Sequence, residues 1–167
     1  NVKKTADTVD TLIESKNYKK AIELANTGIV FKDKNGMAKS YVSKANDLRH
    51  EKLVKVVDGI FEEVTSLNKK DMNDENYKNI TETLLPLYSS TISGFEKDQA
   101  KSYKEKLEPL MEELDKSRDT YLTQLENEIN DLINKKEYQK ANTLIAQMVH
   151  KSDKKRSLLS GKYHKYW

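Results

Sequence analysis

One ten-residue phrase is written twice in this chain, as LIESKNYKKA at residues 12–21 and as LINKKEYQKA at 132–141, with six identities and no gap. A duplicated phrase that keeps its apolar residues and its aromatic at fixed places marks a duplicated packing unit, so the chain is constrained to a repeat architecture before any chemistry is considered. A weaker copy lies between them, with Tyr77 standing 59 residues after Tyr18 and 61 before Tyr138, which sets a period of about 60 residues.

The steps after each tyrosine agree. Ala21, Leu24, Ala25 and Ile29 follow Tyr18 at offsets 3, 6, 7 and 11, and Ala141, Leu144, Ile145 and Val149 follow Tyr138 at the same offsets. Ile80, Leu84, Leu87 and Tyr88 follow Tyr77 in a similar rhythm. These spacings trace one face of an α-helix. A second stripe precedes each tyrosine: Ala6, Val9, Leu12 and Ile13; then Val57, Ile60, Phe61, Val64 and Leu67; then Leu122, Leu125, Ile129, Leu132 and Ile133. A third element carries AKSY at 38–41 and again at 100–103, with KRSL at 156–159 as its decayed copy.

Each unit therefore reads as long helix A, tight turn, short helix B, loop and helix C. Breakers mark the loops, KDKNG at 32–36 and STISG at 90–94, and DMNDENYKN at 71–79 reads as a further interhelical loop. Pro86 is expected to kink or end helix B of the second unit, and Pro109 to bend helix C. Only Gly59 weakens the helical pattern from Ala38 to Leu67, and only Pro109 interrupts it from Phe95 to Ile133, so helix C is expected to run directly into helix A of the next unit. The expected fold is all-α: three about 60-residue three-helix repeats strung into an elongated array through shared helices. The units fall at 1–50, 51–114 and 115–167, the last with a basic aromatic C-terminal tail. One compact bundle is the alternative if the helices fold back.

Within the repeated phrase, Leu and Ile close helix A against the core and a few polar residues turn the chain. The tyrosine then lays its ring over the turn with its hydroxyl at the surface, and the alanine three residues on lets the helices approach closely. The phrase resembles the tetratricopeptide hairpin, whose turn reads Gly-Asp-Tyr-x-x-Ala where this chain has Lys16, Asn17, Tyr18 and Ala21. The likeness covers some 20 residues per unit; the family's period of about 34 residues is absent. The shared-helix connection resembles the spectrin-type arrangement of three-helix bundles, with shorter units.

Enzyme signatures are missing. Among five glycines there is no phosphate-binding loop, and no GxSxG, HExxH or EF-hand pattern occurs. The absence of cysteine excludes disulfides and thiolate chemistry. His50, His150 and His164 are scattered, with no partners spaced for a metal, and Glu62–Glu63 and Glu112–Glu113 are neighbours that point in different directions on a helix. The expectation is a non-enzyme with no cofactor and no metal. Tyr41 and Tyr103, equivalent in the two AKSY copies, are read as core or boundary residues.

Charge gives one local feature. The net charge is +3, yet Lys151, Lys154, Lys155, Arg156, Lys162 and Lys165 stand against Asp153 alone in residues 150–167, leaving −2 for the rest. Lysine outnumbers arginine 27 to 3, as AT-rich codon usage in low-GC bacteria produces. No apolar run reaches the roughly 20 residues that cross a bilayer, and a chain opening on Asn rather than Met is read as a processed form or a fragment.

The leading functional expectation is a non-catalytic interaction or spacer module that binds another protein. By resemblance of type and composition, it looks like the extracytoplasmic part of a Gram-positive cell-envelope protein or lipoprotein. Lys16, Lys20, Lys136 and Lys140, which recur in the turns and in helix B, are its candidate contacts. An alternative is a binder of an anionic polymer, nucleic acid or membrane surface through Lys154, Lys155, Arg156, Lys162, Tyr163, Lys165, Tyr166 and Trp167. A second alternative is a small-ligand carrier or enzyme with an inter-bundle pocket.

Overall fold

The computed structural model describes residues 2–30, 39–70 and 72–146, and every regular element among them is helical. In chain order these are α1 (Val2–Glu14), α2 (Tyr18–Gly28), α3 (Lys39–Lys69), α4 (Asp74–Lys78), a π-helical stretch (Asn79–Leu84), α5 (Leu85–Ile92), α6 (Lys97–Asn134) and α7 (Tyr138–Ala146). The protein is all-α over the described residues. Helices α3 and α6 are each unbroken, at 31 and 38 residues, so the weak points at Gly59 and Pro109 do not end them.

Proline positions explain the local irregularities. Pro86 does not end the helix: it lies inside a helical run unbroken from 74 to 92, and the π-helical stretch comes directly before α5. A proline ring crowds the carbonyl four residues earlier, here that of Glu82, and a widened turn is one way the backbone makes room. The acidic, Asn-rich run at 71–79, expected to be a loop, instead starts a helix: the Asn73 side chain accepts from the Asn76 N–H at 2.8 Å and caps α4. STISG is likewise mostly helical, because α5 continues to Ile92 and the chain turns only at 93–96.

The chain divides into two compact units. The first joins residues 1–65 with 84–107, and its buried residues include Val9, Ala21, Ala25 and Ile29 from α1 and α2, Val56, Val57, Ile60 and Val64 from α3, and Tyr88 from α5. Small side chains bring α1 and α2 together, and a Cβ on Gly28 would stand 2.5 Å from Thr5 Cγ2. Tyr88 is fully enclosed, donates its hydroxyl to the Tyr103 carbonyl at 2.8 Å, and meets the Tyr103 ring edge-on. Lys106 lies over the Phe61 ring at 4.4 Å.

The second unit joins residues 66–83 with 108 onward. One of its clusters is built by Leu122, Leu125, Ile129 and Ile133 of α6 with Ala141 and Ile145 of α7, flanked by Tyr121, Leu132, Tyr138 and Leu144. Nearer the N-terminus of this unit, Arg118 Nη1 donates to the Tyr77 hydroxyl at 3.1 Å. Tyr77, the middle tyrosine of the repeat, thus sits in a capped helix and not behind a corner like those at Tyr18 and Tyr138.

Two tyrosines differ from expectation. Tyr18 is buried, and its hydroxyl is not at the surface but donates to the Gly59 carbonyl of α3 at 3.1 Å. Tyr41, expected at the core or its boundary, is 61% exposed under Lys44, whereas its counterpart Tyr103 is half-buried among Tyr88 and Phe95. The KDKNG loop and the KRSL copy lie outside the described residues.

Candidate functional site

The duplicated phrase forms the same backbone device at both of its sites. At the end of α1, Lys16 N–H donates to the Ile13 carbonyl at 3.0 Å and Asn17 N–H to the Leu12 carbonyl at 2.8 Å. At the end of α6, Lys136 N–H donates to the Ile133 carbonyl at 2.9 Å and Glu137 N–H to the Leu132 carbonyl at 2.8 Å. This paired bonding is the Schellman motif, which satisfies the last carbonyls of a helix and needs a left-handed residue at its corner. Lys16 (φ 63°) and Lys136 (φ 62°) occupy that corner and are the two non-glycine residues of positive φ among those described.

The next helix starts at once. The Asn17 carbonyl accepts from the Ala21 N–H at 3.0 Å and the Glu137 carbonyl from the Ala141 N–H at 3.1 Å. Ala21 and Ala141 are both fully buried, so the small side chain three residues after each tyrosine sits where the two helices of the hairpin approach. Five of the six identities in the phrase thereby have a place in the corner, Lys20 and Lys140 being the exception. Leu and Ile supply the accepting carbonyls, Lys takes the left-handed corner, and Tyr and Ala seat the following helix.

The four lysines named as contacts all lie at these corners or in the first turn beyond them, and all four are exposed. Lys16 Nζ reaches back to Glu63 of α3 at 2.8 Å; Lys16 is 62% exposed and Glu63 only 16%. Lys140 pairs with Glu137 at 3.1 Å within its own turn. Lys20 and Lys136 have no carboxylate partner among the described residues. The first corner thus belongs to one compact unit and the second to the other, and each presents a lysine at a turn closed by two backbone hydrogen bonds, one from the lysine and one from the residue after it.

A second electrostatic cluster braces the helix that leads to the first corner. Asp10 of α1 accepts from Lys52 Nζ at 2.9 Å and from Lys55 Nζ at 3.1 Å. Burial pushes the Asp10 carboxyl upward, but the two lysine hydrogen bonds and their charges outweigh it and hold the group below its ordinary value. Burial, with the Glu63 and Glu62 charges nearby, raises the Tyr18 hydroxyl.

Sequence reasoning missed Glu63 and Gly59, which hold Lys16 and Tyr18 from α3. No local signal marks either, because both partners lie over 40 residues away in the chain. The tail residues Lys154, Lys155, Arg156, Lys162, Tyr163, Lys165, Tyr166 and Trp167 lie outside the described residues, as do His150 and His164. Among the described residues no three of His, Asp or Glu converge as metal ligands, and no helix is long and apolar enough to cross a membrane. Comparison with family models, with curated proteins and with solved structures finds no match.

Proposed function

We propose that this chain is a non-catalytic helical-repeat interaction or spacer module that binds another protein through its lysine-bearing corners. The observation that supports this reading is the left-handed lysine at both copies of the corner. Glycine fits that position without strain, whereas an L side chain there carries a conformational cost of roughly 1 kcal/mol. A lysine kept at both places fits a role for its side chain. The partner surface that four exposed corner lysines suit is acidic.

The finer architecture belongs to the same proposal. The units at 1–50, 51–114 and 115–167 form three-helix repeats of about 60 residues, strung end to end through α3 and α6, with a tetratricopeptide-like turn at the corners. Scattering by the chain would then give a radius of gyration well above the roughly 15 Å of a globule of this length. The proposed setting is extracytoplasmic, in the envelope of a Gram-positive cell, which the lysine-rich, cysteine-free composition suits.

The test places a photo-crosslinking residue at Lys20, at Lys140 and, as a control, at Lys101 in the first turns of α6. Envelope and cytosolic fractions are then probed separately. The same protein captured from both corners, and lost on charge reversal of Lys16 and Lys136, supports the reading. Equal capture from Lys101, or none from the corners, refutes it. The basic tail as an anionic-polymer binder remains the second reading, favoured by the six cations against one carboxylate in residues 150–167; capture that depends steeply on salt and disappears on deleting residues 160–167 would select it.

A further inference from the structure

The first compact unit contains a cleft of about 320 Å³ between α2, α3, α5 and the turn that enters α6. That volume is at the small end of the range of ligand pockets. Ile22, Leu53 and Phe95 give the lining an apolar part, while Arg49 and His50 bring the cationic and imidazole groups. Asn26, Asn46 and Ser90 add neutral hydrogen-bonding groups, and no carboxylate is among the described lining residues.

Arg49 stands out chemically. The chain meets nearly all of its need for positive charge with lysine and uses arginine three times. Arg118 is placed beside Asp115 and Asp119. Arg49 has no carboxylate partner among the described residues. Its Nη2 donates to Asn46 Oδ1 at 2.8 Å and its Nη1 reaches the Ile29 carbonyl only at 3.4 Å, so among the described residues the guanidinium is oriented by neutral groups alone. A planar guanidinium fixed in this way is preorganised to take an oxyanion. His50 is held by its ring, edge-on to Phe95 with centroids 4.8 Å apart, and no described hydrogen bond occupies its nitrogens.

Thr91 supplies an independent observation. It lines the same cleft, is 8% exposed, and its hydroxyl has no hydrogen-bond partner among the described residues. Elsewhere in these helices Thr8, Thr11, Thr27, Thr65, Thr81 and Thr143 each return their hydroxyl to the carbonyl four residues before. Thr91 departs from that habit beside the cleft, with its hydroxyl oxygen closed off from solvent and unpaired among the described residues.

We infer that this cleft binds a small organic carboxylate, its oxyanion on Arg49 with His50 beside it and its apolar body against Ile22, Leu53 and Phe95. The apolar wall favours a carboxylate with a hydrocarbon body over a bare inorganic anion, because burial of that body adds to the charge-assisted hydrogen bonds. This site is separate from the corner lysines and does not depend on their role.

The test is chemical-shift mapping on the 167-residue chain with acetate, isovalerate, phenylacetate and inorganic phosphate, at constant ionic strength. The expected result is saturable shifts of the Arg49 side chain, the His50 ring and the Thr91 amide, with affinity rising from acetate to phenylacetate and reaching a Kd of about 1 mM or tighter. Arg49→Gln is expected to weaken phenylacetate by at least about tenfold. Should that variant fail to fold, Arg49→Lys, which keeps the charge without the planar fork, serves the same comparison. Absence of saturable shifts at the cleft, phosphate binding as tightly as phenylacetate, or undiminished binding by the Arg49 variants would each overturn the assignment.

Discussion

Tyr18 and Gly59 hold each other. The tyrosine hydroxyl donates to the Gly59 carbonyl at 3.1 Å, and a Cβ added to Gly59 would stand 3.1 Å from Tyr18 Cε1 and 3.5 Å from its oxygen. The glycine that weakens α3 as a helix is the seat on which the aromatic of the repeated phrase rests. Local propensity and tertiary packing therefore oppose each other at this position, and packing decides it.

That opposition is measurable in a double-mutant cycle. In the middle of a helix Gly→Ala is worth about 1 kcal/mol from propensity alone. With Tyr18 present, the new methyl must displace a buried ring that is tied to the same residue, so Gly59→Ala is expected to return less than that gain or to destabilise. In a Tyr18→Leu background, where the ring is gone, the gain of about 1 kcal/mol should reappear. Urea midpoints of the four proteins give the answer, and an equal effect of Gly59→Ala in both backgrounds would show that the ring does not control the site.

The two corner lysines are expected to answer differently to the same substitution. Lys136→Gly removes a left-handed L residue without disturbing any described ion pair and should stabilise by about 0.5–1 kcal/mol. Lys16→Gly gains the same backbone relief but leaves Glu63, only 16% exposed, without its 2.8 Å partner, and should gain less or lose. Denaturant titration of both variants beside the parent reads this difference directly. Matching gains would mean that the Glu63 contact contributes nothing.

Much of the all-α character is legible because a 3.6-residue rhythm survives in the sequence. Val9, Ala21 and Ala25 at one corner, and Ile129, Ala141 and Ile145 at the other, are picked out by spacing and are buried. Spacing also places the four candidate lysines at corners. The conformation of those corners is not legible, since glycine or asparagine is the usual mark of a left-handed residue and lysine conceals it. Partners across the fold escape for another reason: periodicity names the face of a helix but not the residue that meets it, so Gly59 reads as a defect and Glu63 as surface charge. Tyr41 and Tyr103 share a motif, yet one is exposed and the other packs among aromatics, because what surrounds them differs. At 71–79 composition suggests a loop, and one side chain, Asn73, is enough to cap a helix there.

Alkaline titration should expose the buried tyrosine. Burial first, then the nearby Tyr103 and Asp58, push the Tyr88 hydroxyl from 10.0 to about 12. A group raised in the folded state gives stability that is fully present below its unfolded value and is lost as pH rises through the folded one. For Tyr88 that window runs from about pH 10 to about pH 12. Tyr88→Phe is expected to lose about 1 kcal/mol at neutral pH, with its bond to the Tyr103 carbonyl, and to unfold with a shallower dependence on pH across that window. Tyr18 and Tyr103 are also raised and should keep part of the slope. An unchanged alkaline slope in Tyr88→Phe would assign the effect to those two residues instead.

At the acid end the controlling pair is Asp10 and Lys52. Lys52 is 8% exposed, and its ammonium pairs with the Asp10 carboxylate at 2.9 Å. Because Asp10 is lowered in the folded state, its contribution is complete above its unfolded value of about 3.9 and is lost as pH falls through the folded value. Asp10→Asn is expected to remove that acid-dependent loss and to destabilise by about 2–4 kcal/mol at neutral pH, since the amide leaves Lys52 buried without a counter-charge. Asp10→Leu combined with Lys52→Met should recover most of that loss, because no charge then remains to be buried and only exposed Lys55 loses a partner. Thermal unfolding of the single and double variants from pH 3 to pH 7 distinguishes the cases. If Asp10→Asn costs nothing at neutral pH, the pair is a surface interaction that does not brace α1 against α3.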